Sequence, residues 1–434
     1  MKHVILRVFV ALAVAGGLLF ASFGTSLAGR GGGPGQGDES GRGETHSPEV
    51  MLVKFRAGTS AQDQDRVHKR RGGAAVEEIS GIGVQVVRVP RGNKDDQEHE
   101  GRKAKEYSQE AEVEFAEPDG VVQALFTPND PRFGEQWALT KIQAPEAWDI
   151  AAREGAGVKV AILDTGIDRD HEDVSSKVVA SKNFTTSRTL DDQYGHGTHV
   201  AGVVAASTNN GKGVAGVAPN AQLLNGKVLR DDGFGYWSWV AKGITWSSDN
   251  GAKVVNLSLG ADVSSLTLEQ AVNYAWGKGV VLVAAAGNQN SDLVLYPARY
   301  TNVIAVAGTD RQDNKSDFSN YGAGVDIAAP GGIWGINYEW LRTDVGILST
   351  MPNHSNYFYR TYGVPLTYGP LTGTSMATPH VTGVAALLFA EHTDWTNGQV
   401  RQRLESSADP LADPLLGGLR GIGRLNALKA VRGW

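Results

Sequence analysis

From residue 136 to the C-terminus, short unbroken apolar runs alternate with longer stretches where small apolar residues recur at helical spacing. Val160-Ala161-Ile162-Leu163 is a run of the first kind. Successive side chains on a strand point to opposite faces, so such a run fits a parallel strand buried on both sides. Runs like it predict strands over 159–163, 222–228, 253–259, 280–285, 303–307 and 325–328. The helical spacing predicts helices over 145–153, 198–207, 239–248, 266–278, 374–391 and 397–406. Strands alternating with helices predict an α/β fold: a mainly parallel sheet with helices on both faces.

Ahead of this region the pattern changes. Lys2 and Arg7 flank the start of an apolar stretch over 8–23, and Ser26-Leu27-Ala28 follows as a small-residue cleavage site. This reads as a secretory signal peptide over 1–28, with a membrane anchor as the alternative. Residues 29–47 are Gly-rich and polar, the composition of a linker. Strands are then expected over 49–55, 83–89 and 113–119, a polar helix over 60–71, and a charge-dense stretch over 91–110. Together these make a small α+β unit over 48–125, ahead of a large domain over 126–434 that ends in Gly423-Arg424-Leu425-Asn426-Ala427 and the residues after it.

Composition narrows the class. Of 434 residues, 41% are apolar and 20% charged, enough for a sizeable core and inconsistent with wholesale disorder. A net charge of −6 is too mild to argue for nucleic acid or an anionic membrane as partner. No cysteine is present, which excludes disulfides and thiolate metal sites. Stability outside the cell would rest on packing and on oxygen-ligated metal. A soluble, secreted, monomeric chain is expected after signal removal.

Three segments carry candidate chemistry. Gly373-Thr374-Ser375-Met376-Ala377-Thr378-Pro379 places a serine where a glycine-led turn opens into an apolar helix. There its hydroxyl can be exposed, and its own N–H joins the unpaired donors of a helix N-terminus. Pro379 lacks the N–H that would pair with the Ser375 carbonyl. Asp164 stands at the C-terminal end of the first buried strand, the edge where α/β sheets place their ligands. His196 stands between Gly195 and Gly197 at the entrance to a helix of small residues. Ser375 alone could be a helix cap. Asp, His and Ser in this order, each beside glycine at an element boundary, make an acyl-transfer triad. His199, three residues after His196, could pair with it on zinc, but no further metalloprotease ligand follows; His199 and His380 read as structural histidines.

With Asn129-Asp130-Pro131, Lys141-Ile142-Gln143-Ala144-Pro145 and Ala271-Val272-Asn273-Tyr274-Ala275-Trp276, these motifs closely resemble the subtilisin-like serine proteases, over roughly residues 127–431. The resemblance implies a subtilisin-like fold and a serine endopeptidase. Ser375 is then the nucleophile, His196 the base, Asp164 its partner, and Asn288 with the Ser375 N–H the oxyanion hole. The segment 48–125 looks like this family's inhibitory propeptide, a ferredoxin-like intramolecular inhibitor and chaperone.

The resemblance extends to binding residues. Ser258, Leu259 and Gly260 match one edge of a cleft that pairs with extended polypeptide, and Leu229, Asp232 and Gly233 lie at the other. Ala284, Ala285, Ala286 and Gly287 suit an apolar pocket for the residue before the scissile bond (P1), with Leu295 at its floor. Trp237 and Val240 match an outer pocket for an apolar P4 residue; packing beneath a loop is the alternative for Val240. Self-cleavage near Phe126 would place Leu125 in P1 and Val122 in P4. Asp130, Asp173, Ser207, Asn210, Lys212 and Val214 match a structural calcium site of side-chain and carbonyl oxygens. A weaker cation site is conceivable at Asp326 with the carbonyls of Ala298, Tyr300 and Val303.

Residues 331–372 exceed the family pattern and are rich in aromatics, including Trp334, Tyr338, Trp340, Tyr357 and Tyr362. They could narrow substrate choice on the primed side or pack as a structured surface loop. The rivals from other classes are a binding protein without catalysis and an esterase. An intact triad stands against the first, and peptide pockets with a propeptide stand against the second.

Overall fold

The computed structural model describes residues 46–90, 99–120, 127–335, 339–418 and 421–432. The expected signal peptide, nearly all of the linker, Tyr338 and the expected cleavage residues Val122, Leu125 and Phe126 lie outside them. The chain divides into two compact units, residues 1–121 and 122–434.

The N-terminal unit runs β1 (His46–Phe55), α1 (Ala61–Arg71), β2 (Ala74–Ile79), β3 (Val84–Arg88), α2 (His99–Ser108) and β4 (Val113–Gly120). Its antiparallel sheet has the order β2-β3-β1-β4. The sequence β-α-β-β-α-β with this order is the ferredoxin-like arrangement. Met51, Val53, Val67, Val87 and Tyr107 form its core. Ser60 opens α1 by accepting the Asp63 N–H at 3.2 Å.

The larger unit opens with α3 (Trp137–Lys141) and α4 (Ala144–Trp148), then β5 (Lys159–Asp164), β6 (Val178–Asn183), α5 (His196–Ala205) and β7 (Gln222–Lys227). Next come α6 (Trp237–Asp249), β8 (Ala252–Leu257), α7 (Leu266–Gly277), β9 (Val281–Ala285), β10 (Ile304–Thr309) and β11 (Ile327–Pro330). The chain continues through β12 (Ile347–Thr350), α8 (Tyr357–Tyr362), β13 (Tyr368–Leu371), α9 (Thr374–Glu391) and α10 (Asn397–Ser406), and closes with β14 (Asp409–Pro410), β15 (Gly423–Arg424) and α11 (Ala427–Arg432). Nine strands form one sheet, in the order β14-β15-β11-β10-β9-β8-β5-β7-β6. Every pairing in it is parallel except β14 with β15.

Burial on both faces explains the unbroken apolar runs. Val160, Ile162, Val281 and Val283 join a core that includes α5 and α9. Ala161, Leu163, Leu282 and Ala284 join a second core with α6 and α7. Strand order reverses around β5: β7 lies on one side of it and the next strand, β8, on the other. A crevice forms at the C-terminal strand ends where such a reversal occurs. Asp164 ends β5, Ser258 follows β8 and Asn288 follows β9.

Most predicted elements lie within a few residues of those observed. The helix expected over 145–153 is shorter; past Trp148 the N–H groups of Ile150 and Ala151 turn back to the Ala147 carbonyl.

Candidate active site

The approach of α5 to β5 sets the first pair. A Cβ on Gly197 would lie 2.1 Å from the Gly166 carbonyl oxygen and 3.1 Å from the Asp164 Cβ, so only glycine lets the helix entrance reach the strand end. His196 Nδ1 lies 2.8 Å from Asp164 Oδ1. That oxygen also accepts the Thr165 N–H at 2.7 Å, and the carboxylate is fully buried. The imidazole keeps 15% of its side-chain surface exposed. Burial works against its charged form, but the Asp164 charge and hydrogen bond, with a smaller contribution from Asp192, outweigh it and hold the His196 pKa above its ordinary value.

Asp192 escaped the sequence reading. Its buried carboxylate accepts N–H groups from Tyr194, Gly195 and Thr198 and hydroxyls from Thr165 and Thr198, at 2.7–3.1 Å. It thereby satisfies donors at the start of α5 and holds the loop that delivers His196. The available signal was an acidic residue just ahead of a helix N-terminus.

Ser375 occupies the first turn of α9. Met376 and Ala377 donate their N–H groups to the Gly373 carbonyl, while the Ser375 N–H has no protein partner among the described residues. The carbonyl that Pro379 leaves unpaired is taken up by Ser258, whose hydroxyl donates to Ser375 O at 2.8 Å. The Ser375 hydroxyl donates to Ser258 O at 3.2 Å rather than to the imidazole. Behind Ser258 the network continues: Asn256 Nδ2 donates to its Oγ, and Thr382 donates to Asn256 Oδ1, both at 2.9 Å.

Asn288 Oδ1 accepts the N–H and the hydroxyl of Thr374, both at 2.9 Å. Its amide nitrogen is thereby turned to the other side. Gly373 has φ 149°, and a Cβ there would sit 3.5 Å from Asn288 Nδ2 and 3.6 Å from the Ser375 nitrogen. Two N–H donors therefore border one small space beside Ser375, kept open by a residue without a side chain.

The remaining candidates fall around these groups. Leu295 reaches between Gly260 and Gly287: Cβ atoms built on them would lie 3.0 Å from Leu295 Cβ and 2.8 Å from Leu295 Cγ. Ala284 and Ala286 are fully buried and belong to the core with α6 and α7, while Ala285 keeps 5% of its surface. Asp232 accepts the Phe234 N–H at 3.1 Å and pairs with Arg230, forming a tight turn with Gly233. Val240 is buried in the same core; Leu229 and Trp237 are half-buried against it. His199 and His380 are buried, each within 2.8 Å of a backbone carbonyl, of Ile347 and Met376. Burial pushes their pKa values down to about 3 and about 4, which keeps them neutral.

The expected cation ligands converge. Asp130 accepts the N–H groups of Asn209 and Asn210; Asp173 accepts from Asn210 Nδ2 at 2.8 Å and from the Val214 N–H at 3.2 Å. Ser207 N donates to Asp173 O, and Lys212 N to Asn210 Oδ1. Both carboxylates are buried, and neither forms a salt bridge among the described residues. Burial, and secondarily the charge of Asp173, raises the Asp130 pKa. Two buried carboxylates that meet the same loop around Asn210 offer the hard oxygen ligands a divalent cation takes. The weaker site at Asp326 is corrected: Arg401 donates to Asp326 Oδ1 at 2.8 Å and to the Thr301 carbonyl, so a guanidinium already supplies positive charge there.

A paired imidazole, a serine at a helix N-terminus and an adjacent amide donor are the parts of an acyl-transfer site. The comparisons agree. Residues 155–423 match the Subtilase family, and residues 35–119 match the Fervidolysin N-terminal prodomain. Thermitase from Thermoactinomyces vulgaris is 48% identical over 309 residues, 71% of this chain and all of that protein. A thermophilic serine proteinase from Bacillus sp. (strain AK1) is 37% identical over 388 residues, 88% of this chain and 86% of the relative. A solved protease structure from Pseudoalteromonas arctica PAMC 21717 superposes with a TM-score of 0.62 at 35% identity, covering 70% of this chain and 99% of its own.

Proposed function

The chain belongs to the subtilase family of serine endopeptidases and carries a fervidolysin-like N-terminal prodomain, and on that premise we propose a secreted, self-processing protease whose triad is Asp164, His196 and Ser375. Ser375 Oγ attacks the scissile carbonyl carbon, and its proton passes to His196 Nε2. Asp164 holds the opposite ring nitrogen and stabilises the imidazolium. The oxyanion accepts from Asn288 Nδ2 and the Ser375 N–H. As the tetrahedral intermediate collapses, His196 protonates the leaving amine; water, deprotonated by the same imidazole, then releases the acyl group. For attack, the Ser375 hydroxyl must exchange its bond to Ser258 for one to His196, a rearrangement common in unliganded sites.

The observation that carries this reading is the 2.8 Å pairing of a partly exposed imidazole with a fully buried carboxylate. Polypeptide binds as an added strand along Ser258, Leu259 and Gly260, with Leu229, Asp232 and Gly233 opposite. Ala285 and Gly287, backed by Leu295, form the floor of an apolar P1 pocket, and Trp237 borders P4. Residues 48–125 inhibit the domain until cleavage near Phe126. Among the described residues no helix is long and apolar enough to cross a membrane; the segment 1–28 directs export, and the processed chain acts as a monomer. Asp130, Asp173 and Asn210, with the carbonyls of Ser207, Lys212 and Val214, hold calcium. A bound ion would supply positive charge to two buried carboxylates and would tie the loop around residue 210 to the start of the domain.

Expression of the full chain beside Ser375→Ala tests the proposal. The wild type sheds its N-terminal unit and hydrolyses an apolar-P1 peptide amide; the variant keeps the unit and does neither. Processing of the variant at the wild-type rate would refute it.

A further inference from the structure

Described residues of the aromatic-rich stretch, within 334–335 and 340–372, build one wall of a cavity of about 530 Å³ beside His196. Trp334, Trp340, Phe358 and Tyr362 line it, together with Met376, the residue after Ser375. None of Ser258, Leu259, Gly260, Leu229, Asp232 and Gly233 is among the described lining residues. The cavity therefore lies away from the two edges that hold the acyl side of a substrate. His196 must deliver its proton to the departing amine, so a space that His196 itself borders faces the departing segment.

The wall is anchored. Asn356 caps α8 by accepting the Tyr359 N–H at 3.1 Å, and a Cβ on Gly195 would lie 2.9 Å from Asn356 Oδ1. The Tyr357 N–H donates to the Gln193 carbonyl at 3.1 Å. The Tyr357 ring stacks on Tyr194 with centroids 4.6 Å apart and 6° between planes; Phe358 meets Tyr194 edge-on at 5.2 Å. Trp340 meets Tyr362 edge-on at 5.6 Å. Tyr357 and Phe358 are thus fixed to the segment that presents His196, and Tyr362 packs on both.

Resting on the assignment of Ser375 as nucleophile, we propose that this cavity is a leaving-side subsite for a large apolar, above all aromatic, side chain on the residues just after the scissile bond. Its volume exceeds that of one aromatic side chain, within the range of cavities that enclose small ligands. Aromatic walls reward ring-on-ring contact. No Asp, Glu, Lys or Arg is among the described lining residues, so a charged substrate side chain would lose hydration without gaining a partner.

Partitioning of an acyl-enzyme tests this without a leaving-side residue in the starting substrate. A peptide ester with an apolar P1 residue acylates Ser375, and amino-acid amides then compete with water for the acyl group. Phenylalaninamide is expected to capture it at least about tenfold better than glycinamide. Trp340→Ala and Phe358→Ala should each bring that ratio to within about threefold of unity. The ratio is internal to each variant and does not depend on its rate of acylation. Trp334→Ala, at a half-exposed position, serves the same purpose if the more buried variants do not fold. Equal capture of both amides by the wild type, or a ratio that survives all three substitutions, overturns the subsite. Absence of ester turnover by the processed wild type would instead overturn the assignment of Ser375, and the subsite with it.

Discussion

Ser258 and Ser375 exchange hydrogen bonds: the Ser258 hydroxyl donates to the Ser375 carbonyl at 2.8 Å, and the Ser375 hydroxyl donates to the Ser258 carbonyl at 3.2 Å. The first bond replaces the helical one that Pro379 cannot make. Ser258→Ala leaves that carbonyl unpaired and should cost about 1–3 kcal/mol in chemical unfolding. Pro379→Ala restores a helical donor, so in that background the Ser258→Ala penalty should shrink by about half or more. A double-mutant cycle measures this; strictly additive effects would show that the two groups do not share the carbonyl.

Gly373 keeps open the space shared by Asn288 Nδ2 and the Ser375 N–H. Gly373→Ala puts a methyl group there and strains a backbone at φ 149°. Turnover should fall at least about a hundredfold, in the 10²–10³ range known for loss of one such donor in a subtilisin. Steady-state kinetics beside far-UV circular dichroism separates a blocked site from a misfolded chain.

His196 must be neutral to accept a proton, and its pKa is raised by Asp164 despite burial. The acid limb of kcat/KM should therefore lie above about 6.5, the ordinary imidazole value. Asp164→Asn removes the opposing charge, so any residual activity should show that limb displaced downward. The sign for stability follows: protonated His196 contributes fully below the unfolded pKa and loses its contribution as pH rises through the folded one. A pH–rate profile of the two proteins checks the direction.

Asp130 and Asp173 are buried without a salt bridge among the described residues. Chelation of calcium should lower the thermal midpoint of the processed enzyme by about 5 °C or more. Asp130→Asn should remove most of that sensitivity. Acid should weaken the ion's hold early, because burial and Asp173 raise the Asp130 pKa. Differential scanning calorimetry with and without chelator decides it.

The two-faced burial of β5, β8 and β9 was legible because apolar runs have few other uses in a chain of this charge. The strand ends carrying Asp164 and Asn288, and the helix starts carrying His196 and Ser375, could be located for the same reason. Less legible were elements that bury little. Strand β2 is exposed along its length, and β6 lies at the sheet edge with alternate residues exposed, so neither carries an apolar run. Asp192 was invisible because its role comes from hydrogen bonds made after α5 and β5 meet. Arg401 could not be paired with Asp326 across 75 positions of sequence. The inserted aromatics were conspicuous, but their packing against Tyr194 depends on contacts across more than 160 positions of sequence.

A strand that is greasy on both sides, as β5 is, gains little guidance from hydrophobicity about where to stop sliding past its neighbours. The polar tip supplies that guidance. One step out of alignment would strip Asp164 of its imidazole and leave a carboxylate stranded among apolar groups, at a cost of several kcal/mol. Chemistry and alignment therefore rest on a single side chain, and neutral replacements there should appear as slower, less faithful folding even in assays that never ask for catalysis.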